Sequence, residues 1–130
     1  MIQIDKLRRL MEVVSAERGE FVLFGLFLRE EAQDKWDLVI SAPWLEDGKL
    51  KALGEFVEKA ASIVGEKEFL TLSRIVTLNH DDPNLKKILE TVQVDDDPLE
   101  LWNTNFFGLE IKHAYILRAG KTRELEPAAT

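Results

Sequence analysis

The chain has 130 residues, 45% hydrophobic and 32% charged, the size and balance of one folded domain with a real core. It has no Cys, which excludes disulfides and thiolate metal sites, and no apolar run nears the ~20 residues that span a bilayer. A formal net charge of −7 disfavours a nucleic-acid partner, because phosphate backbones are bound largely through Lys and Arg.

These bounds predict a cytoplasmic domain with neither a nucleic acid nor a membrane among its partners. The stretch Met1 to Val14 is amphipathic and broken by charge where a secretory leader needs continuous apolar residues. From Ile4 to Ala16, the residues Ile4, Leu7, Leu10, Met11 and Val14 share one helical stripe, and Gly19 is a stop. Asp5 suits the positive end of that helix, and Lys6, Arg8 and Arg9 read as its solvated face. Phe21 to Arg29 is apolar on both alternations apart from Gly25, the pattern of a strand buried on both faces.

The charged connection Glu30 to Lys35 leads into a second strand, where Trp36, Leu38 and Ile40 alternate with Asp37 and Ser41. The two strands pair most simply as a hairpin, with Asp37 on its surface. Pro43 ends the strand, and Leu50, Leu53, Phe56, Val57, Ala60 and Val64 mark a second helix closed by Gly65. A third strand follows in Leu70 to Asn79. Asp82 and Pro83 then open a helix with a face of Leu85, Ile88, Leu89 and Val92, and the second Asp-Asp-Pro, at Asp96 to Pro98, reads as another helix start. After a short segment, Leu99 to Trp102, the last strand is Asn105 to Arg118, with Phe107, Leu109, Ile111, Tyr115 and Leu117 on one face. The order helix, strand, strand, helix, strand, helix, strand predicts an α+β domain over 1–118 with a mixed sheet built on a central hairpin. Residues 119–130 are expected to form a flexible tail.

Helix, Phe24-Gly25 strand, polar loop, Asp37 on a second strand, helix, and the strand Ser73 to Leu78 together resemble the minimal nucleotidyltransferase fold of polymerase-beta-type enzymes, over roughly residues 4 to 79. In that family Gly-Ser at the first strand's end contacts nucleotide phosphate, and carboxylates on the next strands hold two divalent cations for phosphoryl transfer. The resemblance implies a phosphate contact at Gly25 and catalytic positions at Asp34 and Asp37. The chain departs from the pattern: Leu26 replaces the Ser, Lys35 stands at the first carboxylate with Asp34 one residue away, and Arg74 or a neighbour stands at the third. A lone Asp37 does not supply the several oxygens that hard cations require. The resemblance therefore implies a non-catalytic version without metal or cofactor, working by binding a protein partner or as a homo-oligomer such as a dimer. The alternative is a small metal-dependent phosphoryl-transfer enzyme using Asp34 and Asp37.

Other patterns compete with these. Asp97 with Glu110 and Lys112 mimics the PD-(D/E)xK nuclease arrangement, although alternation puts Glu110 and Lys112 on an outer face. Asp95 to Asp97 lacks the spacing of an EF-hand loop and reads as a solvated turn. His113, two residues from Tyr115, reads as a hydrogen-bonded core or interface histidine, and Ser41 and Ser73 lack a nucleophile-elbow context. Trp36 is expected in the core. Trp44 and Trp102, near loops, are candidate anchors for a partner, because Trp is enriched at binding hot spots.

Overall fold

A computed structural model of the chain describes residues 3–32, 35–46, 50–95, 97–106 and 108–120. In chain order they form α1 (Ile4–Arg18), β1 (Leu23–Arg29), β2 (Trp36–Ser41), α2 (Leu50–Val64), the single turn α3 (Glu66–Phe69), β3 (Leu72–Thr77), α4 (Pro83–Thr91), β4 (Leu99–Phe106) and β5 (Leu109–Ala119). The class is α+β with a five-stranded mixed sheet among the described residues, in the order β3-β2-β1-β5-β4. No helix among them is long and apolar enough to cross a membrane.

The hairpin of β1 and β2 lies at the centre, antiparallel, with Phe27 opposite Asp37 and Leu23 opposite Ser41. β3 runs parallel to β2, so the chain must cross over between them, and α2 makes that connection. β5 pairs antiparallel with the other side of β1, and β4 pairs with β5 at the far edge.

Helices cover both faces. Leu7, Leu10 and Val14 of α1 and Phe56, Ala60 and Val64 of α2 pack on Phe24, Leu26, Leu38 and Ile40. Phe21 fills the corner of this core, edge-on to Phe24 at 4.9 Å and to Trp44 at 5.3 Å. Each such fully buried side chain contributes roughly 1.5–3 kcal/mol. On the second face Leu85 and Ile88 of α4 pack on Leu23, Phe27, Val39 and Ile116. Asp82 caps α4 as expected, its side chain accepting from the Asn84 amide at 2.8 Å, with Pro83 in the first turn.

Several expectations are corrected. The last stretch is two strands: β4 and β5 form a hairpin that turns around Gly108 (φ +71), so the order ends strand, strand instead of in one strand. The second Asp-Asp-Pro therefore leads into β4 and starts no helix. β5 does not keep one apolar face: Leu109 and Ile111 pack with the α4 side, whereas Tyr115 and Leu117 pack with the α1–α2 side. Its register on β1 slips twice, between Phe24 and Gly25 and between Leu28 and Arg29, and such irregularities exchange the faces. β2 is buried along its whole length, Asp37 and Ser41 included, because helices cover both sides of the sheet. Asp34, Asp96, Phe107 and residues 121–130 lie outside the described residues.

Candidate functional site

Asp37 is 3% exposed, which requires a partner for its charge. The neighbouring strands supply two. Arg74 is its direct register partner on β3, with Nε 3.2 Å from Oδ2. Arg29 is the diagonal neighbour on β1, two residues past Phe27, and its Nε donates to Oδ2 at 2.8 Å. Arg29 also donates to Glu31 at 2.9 Å. The hydrogen bond to Asp37 holds the Arg29 guanidinium above its already high range, against a smaller opposing effect of burial. Asp37 Oδ1 has no hydrogen-bond partner among the described residues.

A second constellation lies at the far edge of the sheet. Trp102 of β4 faces His113 of β5 in register, and the two rings stack with centroids 3.5 Å apart and planes 14° apart. His113 is buried, and its Nε2 lies 2.6 Å from Glu100 Oε2. Tyr115 sits 4.6 Å from the His113 ring, and Trp36 reaches the same ring at 5.3 Å from across β1. Burial pushes the Tyr115 phenol above its ordinary range, and the hydrogen bond and charge of Glu100 add to the shift. Trp102 closes this cluster yet is 60% exposed itself. The expectation of a hydrogen-bonded histidine at position 113 and a core Trp36 agrees with this geometry.

The remaining sequence candidates are dispersed. Gly25 is buried mid-strand, not at a strand's end, since β1 continues to Arg29. A Cβ there would meet Phe27 Cε1 at 3.0 Å and the Tyr115 carbonyl oxygen at 3.3 Å, so close packing accounts for the glycine. Trp44 is half-buried, with Nε1 donating to the Gly19 carbonyl at 3.1 Å, which makes it a brace between α1 and the turn after β2. Lys35 is exposed. Asp97 lies just before Leu99, which pairs with Ile116, whereas Glu110 pairs with Asn105 at the hairpin's other end. That separates the two carboxylates by about 20 Å or more at the ~3.3 Å rise of a strand. Among the described residues no three His, Asp or Glu side chains are grouped to hold a metal ion.

Sequence reasoning singled out Asp37, Trp102, His113 and Tyr115 but missed the partners Arg29 and Glu100. The hairpin register alone carries the signal for Arg29. No protein-family model, curated protein or solved structure matches the chain.

Proposed function

We propose that this chain is a non-catalytic binding domain that receives an extended segment of a protein partner, or of a second copy, along β4 with Trp102 as anchor. The observation that carries the reading is Trp102: exposed, on an edge strand, and already ordered by its stack on His113. Tryptophan offers large contact area at low conformational cost and dominates binding hot spots. An edge strand presents free backbone N–H and C=O groups for strand addition, and β4 has no Lys, Arg or Pro to block it. Asn103, at φ +48, interrupts the regular strand, so Leu99 to Trp102 is the segment suited to pairing.

Descent from a nucleotidyltransferase-like scaffold belongs to the same proposal. Its support is the order of helix, antiparallel hairpin, crossover helix and parallel third strand. Two arginines hold the one carboxylate of the pattern that the structure describes, and this favours the non-catalytic form. The cytoplasmic setting is likewise part of the proposal and rests on composition.

Sedimentation velocity over a wide concentration range tests the second-copy form, with dimer expected for the wild type and monomer for Trp102→Ala. If the wild type stays monomeric, a display library of extended peptides tests the heterologous form. Peptide binding that survives Trp102→Ala overturns the proposal. So does magnesium-dependent transfer of AMP from ATP that Asp37→Ala abolishes.

A further inference from the structure

β4 offers an incoming strand two different faces. Leu99 and Leu101 lean into the core under α4. Glu100 and Trp102 alternate with them, lie in register with Tyr115 and His113, and point to the opposite side of the sheet. Both are open to a partner: Trp102 is 60% exposed, and the Glu100 side chain is 43% exposed although it also meets His113. A carboxylate has about four acceptor sites, and those taken by His113 Nε2 and the Tyr115 phenol leave others for a cation.

The charge along this edge has one sign. Asp95, Asp97, Glu100 and Glu110 are exposed, whereas Lys112 is the one Lys or Arg between residues 95 and 112. A second copy pairing along β4 would meet the same carboxylates through an isologous contact, with no cation on β4 to answer them. Like charges facing each other across a ladder destabilise it, and a net charge of −7 on each copy adds repulsion at longer range.

We infer that the segment received by β4 belongs to another protein and alternates basic with apolar residues; the inference rests on the strand-addition reading of this edge. Residues directly opposite one another on a ladder share a face. In an antiparallel approach the partner's apolar side chains therefore meet Leu101 and Leu99, and its basic side chains meet Trp102 and Glu100. The Glu100 contact is an ion pair. The Trp102 contact is a cation over the indole, which suits Arg because its planar head is weakly hydrated and stacks on aromatic faces. The two cations must stand two residues apart to share one face, so alternation is required and positive charge alone does not suffice.

The test is an amide-resolved NMR titration of the full chain with capped octapeptides: alternating Arg-Val, alternating Thr-Val, alternating Glu-Val, and a block of Arg followed by a block of Val. Arg-Val is expected to shift the Leu99 to Trp102 amides and the Trp102 indole N–H saturably, with Kd on the order of 100 μM. Thr-Val and the block peptide are expected to bind at least about fivefold more weakly, and Glu-Val not at all. Raising salt from ~50 to ~500 mM is expected to weaken Arg-Val several-fold. Glu100→Gln keeps a hydrogen-bonding group for His113 and is expected to weaken Arg-Val by roughly two- to fivefold. Trp102→Ala is expected to weaken it by about tenfold or more. Sedimentation of the free chain is expected to show a monomer. A dimer formed through β4, Thr-Val or block binding at the β4 amides as tight as Arg-Val, or no effect of Glu100→Gln overturns the basic partner and leaves strand addition standing. Shifts away from β4, undiminished binding to Trp102→Ala, or no saturable shift with any peptide overturns both.

Discussion

Trp102 and His113 occupy directly paired positions on β4 and β5, and their rings lie flat on one another, centroids 3.5 Å apart. The imidazole is held as well by Glu100, 2.6 Å from Nε2, and by tilted contacts with the Trp36 and Tyr115 rings. An exposed tryptophan on a free surface loses rotamer freedom when a partner arrives. Here the fold has already restricted it, which lowers the cost of binding. Trp102→Ala is therefore expected to reduce folding stability by only ~0.5–1.5 kcal/mol, the worth of an aromatic pair, while removing association at β4. Urea unfolding measures the first quantity and sedimentation the second. A loss as large as that of a core Trp, ~3–5 kcal/mol, would mark Trp102 as packing instead.

The two arginines on Asp37 differ in value although both approach Oδ2 within 3.2 Å. Arg29 is mostly buried, so Arg29→Ala leaves a carboxylate in the interior with little solvent to replace the lost charge. The expected loss is about 3 kcal/mol. Arg74 is half exposed and its contribution is screened, so Arg74→Ala is expected to cost about 1 kcal/mol or less. Replacing Arg29 and Asp37 together by Met and Leu should recover much of the first loss, because the desolvated charge goes with its partner. Urea midpoints at constant slope provide the comparison, and equal effects of the two single variants would refute the burial argument.

Gly25 is required by its neighbours and not by its dihedral angles. A methyl group there would press on the Phe27 ring at 3.0 Å and on the Tyr115 carbonyl at 3.3 Å. The first contact yields if the ring moves; the second is backbone of the adjacent strand. Gly25→Ala is expected to destabilise by roughly 1–3 kcal/mol, as overpacking does. In a double-mutant cycle, Phe27→Leu should relieve part of that loss, whereas strictly additive effects would place the strain on β5 alone.

Local patterns carried the helices and the central hairpin. The stripes of α1, α2 and α4, the Asp82-Pro83 start and the unbroken apolar run of β1 each depend on residues within a few positions. What stayed hidden depends on tertiary covering. Strand alternation put Asp37 in water because nothing in the sequence shows that helices lie on both faces of β2. Its counter-charges come from β1 and from β3, 37 residues downstream in the case of Arg74. The β4–β5 hairpin was missed because Phe106, Phe107 and Leu109 make an apolar run in the sequence that reads as strand interior. Gly108 was the signal available there. Glu100 joined the His113 site only once β4 was paired.

Tyr115 is the single tyrosine of the chain, so its phenolate absorbance reports one group. Burial raises its pKa first, with the Glu100 hydrogen bond and charge adding to that effect. The folded state thus favours the neutral phenol. The resulting stability is fully present below the ordinary phenol value of about 10, and it is lost as pH rises through the higher folded value. Spectrophotometric titration of the native protein should place the midpoint above 10, and titration in strong denaturant should return it to about 10. Glu100→Gln is expected to lower the native midpoint only in part, because burial is the larger cause. Tyr115→Phe should flatten the fall in stability on the alkaline side, measured by urea unfolding at increasing pH. A native midpoint equal to the denatured one would show that the phenol is open to water, and would remove Tyr115 from the buried cluster that orders His113 and Trp102.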